Sequence, residues 1–384
     1  MRITIVLGPF HPPPPGPAGA VEKAWWSLAR EFTQSGHAVT VVASDHPDLP
    51  RAPEWDGIRV LRRPPLARSG RTSIDVVRDF FWSRQVAKVL PEAEVTVTNC
   101  VWLPWLLRQR SGSIRRRIGA LNVHVQRYPK GQMGLYRGAD RISTVSATIS
   151  EAIAREVPEL ASRILVIPNP VDLSVFHPGI ERPGTPRRLL YTGRIHPAKR
   201  LDLLVEAWRS LREAGRDLEL RLVGPWAVGA GGGGDRLIEE LRSLAAPHEF
   251  ELPGPTASPL RLAEELRAAD LYCYPSTDAR GEALPVAPLE AMACGLVPVV
   301  ADLGQYRGVI DDSRSGLVFS ATASRAEAVA AIRSSLERLI LEADWRRSLA
   351  EGALETARTL STAAIAARHL SDFEQCHEAL RRTP

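Results

Sequence analysis

Short apolar runs rich in β-branched residues alternate with longer stretches of helical periodicity from one end of the chain to the other. ITIVLG (residues 3–8) reads as a strand, VEKAWWSLAREFTQSG as an amphipathic helix closed by Gly36, and AVTVVAS as the next strand. The rhythm returns in the strand RRLLYTGR, the helix RLDLLVEAWRSLREAG and the strand LELRLVG. Leu201, Leu204, Val205, Trp208 and Leu211 fall at helical spacing and give that helix one apolar face. Strands separated by such helices imply parallel βαβ units and an α/β fold.

At 384 residues the chain exceeds one ordinary core and predicts two domains. The Pro- and Gly-rich stretch IPNPVDLSVFHPGIERPGTPRR divides them. The expected boundaries are 1–170 for the first domain, 171–186 for a linker and 187–361 for the second. STAAIAARHLSDFEQCHEALRR reads as a final helix within 362–384. Open parallel sheets take ligands at the carboxyl ends of their strands, so the site is expected between the domains, in loops that leave strands.

Composition changes this picture little. The chain is 44% hydrophobic and 24% charged, an ordinary globular balance, and no uncharged apolar run approaches the roughly 20 residues that span a bilayer. The opening MRITIVLGPFHPPPPG lacks the long apolar stretch and cleavage site of a signal peptide, so a cytoplasmic protein is expected. Cys100, Cys273, Cys294 and Cys376 are scattered without metal-ligand spacing and read as reduced core residues. Charge is uneven: residues 1–168 hold 23 Lys and Arg against 14 Asp and Glu, the remainder 26 against 30, so the halves stand at +9 and −4.

Three segments offer chemistry. Gly229, Gly231 and Gly234 formally spell G-x-G-x-x-G, but PWAV separates them from the strand that ends at Gly224; the stretch reads as a flexible surface loop before a helix near Asp235. In LLYTGRIHPAKRLDLL a strand ends at Gly193 and a helix follows the loop, which places Arg194 and Lys199 beside a positive helix N-terminus. They are either a site for a diphosphate or a pair of solvated charges. In RGEALPVAPLEAMACG, Glu282 belongs to a loop after the strand LYCYPS, and Glu290 to a helix begun by prolines and ended by Gly295. Two carboxylates beside two cations suit a sugar nucleotide: the anions accept hydroxyl hydrogen bonds and the cations hold phosphates. Glu151 and Glu159 share the eight-residue separation, but lie on a predicted helix as a solvated face.

With these segments in hand, LLYTGRIHPAKRLDLLVEAW, PSTDARGEALPVAPLEAMACGLVPVVAD, ADRISTVSATISEAI and ILVIPNPVDLSVFHP resemble, in order, segments of the retaining family 4 glycosyltransferases. The likeness runs from the first strand to about residue 320. It implies the GT-B fold, two Rossmann-like doubly wound parallel-sheet domains facing across a cleft, with the C-terminal helix packing back on the first. It implies that Arg194 and Lys199 bind the donor diphosphate, Glu290 the ribose hydroxyls and Glu282 the transferred sugar. Gly19, in PGPAGAVE, would bring backbone N–H groups near the phosphate or the acceptor. His124, in LNVHVQRYP, would lie beside the sugar; a satisfied core histidine is the alternative. Where many members carry Gly-Phe-Gly, this chain has Ala283, Leu284 and Pro285, which shape the sugar pocket and leave the donor open. Gln305 and Arg307 stand where a second glycine and a glutamate are common.

The expected activity is transfer of a hexose from a nucleoside-diphosphate sugar to a glycan, lipid-linked or small-molecule acceptor. The alternatives are a sugar-nucleotide epimerase or hydrolase and a non-catalytic nucleotide-sugar-binding scaffold. No D-x-D occurs, and Asp311 with Asp312 belongs to a predicted turn; with two protein cations at hand, neither metal nor other cofactor is expected. In DFFWSRQVAKVL and VWLPWLLRQRSGSIRRRIG, aromatic and apolar residues interleave with arginines that include Arg115, Arg116 and Arg117. That pattern fits either contact with an anionic membrane or core aromatics beside a solvated basic face. No nucleic-acid recognition module accompanies the charge.

Overall fold

The computed structural model describes residues 1–108, 117–179, 184–256, 258–279 and 281–382. The chain divides into two compact units, Met1–Pro170 with Thr362–Pro384, and Val171–Ser361.

The first unit is built on an eight-stranded sheet. Its strands are β1 (Arg2–Val6), β2 (Ala38–Ser44), β3 (Glu54–Trp55), β4 (Ile58–Arg63), β5 (Val95–Thr98), β6 (Ala120–Val125), β7 (Arg141–Thr144) and β8 (Ile164–Val166), in the spatial order β3-β4-β2-β1-β5-β6-β7-β8. All pairs are parallel except the short β3–β4 pair. Central strands are buried on both faces, which is why β1 and β5 read as continuous apolar and β-branched runs. The helices are α1 (Ala20–Gln34), α2 (Thr72–Val89), α3 (Leu103–Arg108) and α4 (Ala147–Glu156). The order reverses between β1 and β5, the switch point at which sheets of this kind open a crevice.

The second unit has a six-stranded parallel sheet in the order β11-β10-β9-β12-β13-β14. These are β9 (Arg188–Thr192), β10 (Glu219–Val223), β11 (Glu251–Gly254), β12 (Leu271–Tyr274), β13 (Pro298–Asp302) and β14 (Leu317–Ser320). Its helices are α5 (Leu201–Glu213), α6 (Asp235–Ala245), α7 (Pro259–Ala268), α8 (Val286–Ala293), α9 (Arg325–Leu341) and α10 (Ala343–Thr359). Helix α5 buries Leu201, Leu204, Val205, Trp208 and Leu211 on its apolar face, and the Trp208 indole donates to the Leu218 carbonyl at 2.7 Å. Here the order reverses between β9 and β12.

The first part of the stretch expected as a linker, 171–179, packs as a piece of the second unit. Val171 and Phe176 are buried, the Val171 N–H donates to Leu360 O at 2.8 Å, and Arg267 donates to Val175 O at 3.2 Å. The last helix, α11 (Thr362–Arg382), belongs to the first unit. It sets Phe373 edge-on to Phe32 of α1 at 5.8 Å, and Asp372 against Arg141 of β7 at 2.7 Å.

Candidate functional site

The switch point of the second sheet is built by close backbone approach. After β9 the chain turns at Gly193 (φ 144°), where a Cβ would lie 2.8 Å from the Tyr191 hydroxyl oxygen. After β10 it turns at Gly224 (φ 154°), where a Cβ would fall 1.8 Å from the Gly193 carbonyl oxygen. Only glycine permits both turns. The Tyr191 hydroxyl donates to Arg194 O at 2.8 Å and holds the start of the next loop. Pro197–Lys199 forms a single 3-10 turn, capped by His196 Nδ1, which accepts the Ala198 N–H at 3.2 Å. Arg200, in the left-handed region at φ 52°, then redirects the chain into α5.

That turn carries Lys199 inward. Its side chain is 9% exposed, and its ammonium forms an ion pair with Oε1 of Glu282, itself 7% exposed. The Tyr274 hydroxyl donates to the same oxygen at 2.9 Å. Tyr274 stacks on Tyr191 with ring centroids 5.6 Å apart, and the Lys199 ammonium stands 5.4 Å from the Tyr274 ring centre. Burial and the neighbouring Glu282 charge push the Tyr274 phenol well above its ordinary range, so it remains a donor. Glu282 is thus held by one cation and one neutral donor, the compensation that a buried carboxylate requires.

Around this pair the expected residues take distinct places. Arg194 is exposed and donates to Gly231 O at 3.2 Å. The glycine stretch 229–234 is therefore no free surface loop: Gly233 N–H donates to Ile195 O at 2.8 Å and Gly234 N–H to Trp226 O at 2.7 Å, which folds it onto the loop of Arg194. Leu284 is buried and Ala283 half-buried between Glu282 and Pro285, the N-cap of α8. Glu290 is half-buried on α8, and its charge reaches Tyr272 of β12, whose hydroxyl meets Thr192 Oγ1 of β9 at 3.1 Å. Arg194, Lys199, Glu282 and Glu290 accordingly attach to the carboxyl ends of β9 and β12.

Two of the expected residues lie in the first unit. His124 lies on β6 with 6% exposure, edge-on to Trp25 at 5.0 Å and 6.1 Å from His369, and its Nδ1 meets Ser143 Oγ at 2.9 Å. Burial drives its pKa down to about 3. These are the surroundings of the core histidine that the sequence left as the alternative. Gly19 is the N-cap of α1, where a Cβ would fall 2.6 Å from Glu22 Oε2. The same carboxylate puts an acidic charge in the first turn of α1, at the positive end of the helix. Of the basic triplet, Arg115 and Arg116 lie outside the described residues and Arg117 is half-buried.

Sequence reasoning missed Tyr191 and Tyr274, although a tyrosine near the end of each switch-point strand was a readable sign. It singled out Gln305 without a role; the side chain is buried behind the Glu282 loop. Among the described residues no three His, Cys, Asp or Glu side chains gather as a metal-binding group, and no helix is long and apolar enough to cross a membrane.

Residues 21–175 match the family model described as Glycosyltransferase Family 4, and residues 175–351 match Glycosyl transferases group 1. The chain is similar to the D-inositol 3-phosphate glycosyltransferase of Nocardiopsis dassonvillei, at 27% identity over 97% of this chain and 94% of that protein. It is also similar to that of Geodermatophilus obscurus, at 29% over 99% and 91%. Among solved structures, sucrose-phosphate synthase from Thermosynechococcus elongatus superposes with a TM-score of 0.78 at 18% identity, over 99% of this chain and 100% of that one. Anabaena Alr3699/HepE in complex with UDP superposes with 0.72 at 16%, over 98% and 100%.

Proposed function

Because the chain belongs to the group 1, family 4 glycosyltransferases and has their GT-B fold, we propose that it transfers a hexose from a nucleoside-diphosphate sugar, with retention of anomeric configuration. The observation that carries this reading is the buried Lys199–Glu282 pair beside Arg194 at the switch point of the second sheet. Arg194 and Lys199, with the N-terminus of α5, bind the diphosphate. Glu282 accepts hydrogen bonds from the transferred sugar and Glu290 from the ribose hydroxyls.

The bond from the anomeric carbon to the diphosphate oxygen breaks through an oxocarbenium-like state. The acceptor hydroxyl attacks from the same face and its proton passes to the departing phosphate. Negative charge gathers on the leaving group, where Arg194 and Lys199 meet it; one such interaction is worth roughly 10²- to 10³-fold in rate. With two protein cations at the diphosphate, activity in chelator is expected. Two curated relatives are named for D-inositol 3-phosphate, which makes that compound the first acceptor to test, ahead of glycan and lipid-linked acceptors.

Contact with the inner face of an anionic membrane is part of this reading, on one observation. Ile74, Val77 and Phe81, spaced on one side of α2, are exposed, and the exposed cations Arg71, Arg84 and Lys88 accompany them on or beside the same helix. An apolar stripe flanked by cations suits an anionic lipid surface.

Thermal unfolding in chelator with UDP, GDP, ADP or NAD tests the donor site. A ligand at 100 times its Kd stabilises by about 2.7 kcal/mol. A shift with one nucleoside diphosphate, lost in Arg194→Ala, supports the reading; a shift with NAD alone overturns it. Donor turnover that needs no acceptor would indicate a hydrolase or epimerase instead, and binding without turnover a scaffold.

A further inference from the structure

Gln305 stands three residues after the end of β13 and is 1% exposed. Its side-chain Nε2 donates to Ala279 O and to Glu282 O, both at 2.7 Å. Two carbonyl acceptors on one amide nitrogen match its two hydrogens, whereas the amide oxygen in that place would face two carbonyl oxygens. The loop that leaves β12 is thereby gathered from both ends. Within it, Asp278 Oδ1 accepts the Gly281 N–H at 2.9 Å and Asp278 O the Glu282 N–H at 3.2 Å. On the far side of the same residue, Lys199 and Tyr274 hold the Glu282 carboxylate. The backbone carbonyl and the side chain of Glu282 are therefore fixed independently, one by Gln305 and the other by Lys199 of the turn after β9 and Tyr274 of β12.

A carboxylate that discriminates among sugar hydroxyls needs such double anchoring, because an error of about 1 Å in a positioned group can cost on the order of 10²-fold. We propose that Gln305 is a positioning residue for Glu282 and sets how the site recognises the hexose of its nucleotide donor. This rests on the donor reading above. Gln305 contacts neither phosphate nor ribose in that reading: its effect is confined to the sugar and reaches it through the 279–282 loop. The Oε1 atom of Gln305 is buried with no hydrogen-bond partner among the described residues, a cost that the fold carries in order to keep the two donors in place.

The test is calorimetric and needs no acceptor. UDP-glucose, UDP-N-acetylglucosamine, GDP-mannose and ADP-glucose are titrated into the full chain beside UDP, GDP and ADP, and the tightest donor with its parent diphosphate is carried forward. Gln305→Met keeps the size and burial of the side chain and removes both hydrogen bonds. The expected result is a loss of about 10-fold in affinity for the nucleotide sugar relative to its diphosphate, with diphosphate affinity within twofold of wild type. Gln305→Glu, which keeps the shape but sets a carboxylate against two carbonyls, should lose at least as much. Equal losses for diphosphate and nucleotide sugar would show a merely structural role and overturn the proposal, as would unchanged binding of both. Should the wild type bind none of these ligands, the donor reading fails and the proposal falls with it; should the wild type bind and Gln305→Met behave alike, the proposal alone fails.

Discussion

Lys199 and Glu282, 83 residues apart in sequence, meet as a buried ion pair at the carboxyl ends of adjacent strands, and the Tyr274 hydroxyl completes the carboxylate's coordination at 2.9 Å. The pair joins the loop after β9 to the loop after β12. Ser276 reinforces the same junction by donating to Ala198 O at 3.2 Å.

Breaking that pair from one side should be more harmful than removing it. Lys199→Ala leaves a buried carboxylate without its cation, an arrangement that typically destabilises by roughly 3–5 kcal/mol. Lys199→Met combined with Glu282→Gln removes both charges and should recover most of that loss. Urea unfolding followed through tryptophan fluorescence measures the cycle; a double variant no more stable than Lys199→Ala contradicts mutual compensation.

The face of α2 makes a separate prediction. Wild-type protein should float with phosphatidylcholine vesicles that contain phosphatidylglycerol and not with phosphatidylcholine alone. Val77→Glu with Phe81→Glu should abolish flotation, and Arg84→Glu with Lys88→Glu should weaken it by about 1 kcal/mol for each cation removed. Wild-type protein that stays free of both vesicles removes the membrane from the reading.

Acid should destabilise the first unit through its two interior histidines. Burial lowers the His124 pKa from 6.5 to about 3, and burial, helped by His124 and Arg368, lowers that of His369 well below 6.5. The unfolded chain takes up these protons as pH falls below 6.5 while the folded chain does not. The stabilisation is therefore complete above 6.5 and is lost toward pH 3, by about 1.4 kcal/mol per pH unit for each histidine. Asp79, which burial raises to about 6, acts in the opposite sense between pH 6 and its ordinary value of 3.8. Comparison with His369→Leu isolates one histidine: between pH 6.5 and 5 the variant should lose less stability than wild type, and equal slopes would contradict the assignment.

A single methyl group should act differently at the Gly224 turn and at Gly229 in the loop that follows it. Gly224→Ala meets the Gly193 carbonyl and should destabilise by at least about 1–3 kcal/mol. Gly229→Ala, with nothing within 4 Å of the added carbon, should stay within about 0.5 kcal/mol of wild type. Thermal unfolding of the two variants side by side decides it.

Much of the second unit was legible because its signals are local. The alternation from RRLLYTGR to LELRLVG corresponds to β9, α5 and β10, since strand and helix periods are written in neighbouring residues. The helix expected in PVAPLEAMACG corresponds to α8, with Pro285 as its N-cap, for the same reason. The surroundings of His124 were not legible: a histidine near the end of a β-type run looks alike whatever its ring faces, and its neighbours come from Trp25 and from His369, 245 residues later. The glycine run failed in the other direction, because its hydrogen bonds to Ile195 and Trp226 depend on two loops meeting.

The sequence by itself determined the α/β class, the family resemblance and the residue types at the switch-point strands, all of which follow from short-range periodicity and ordered motifs. Tertiary structure alone decided that Lys199 pairs with Glu282 and that Gln305 grips the carbonyl behind that glutamate. Those relationships are set by burial. A charged or polar group removed from water must find its partner wherever the packed chain brings one, and the distance along the sequence does not constrain where that will be.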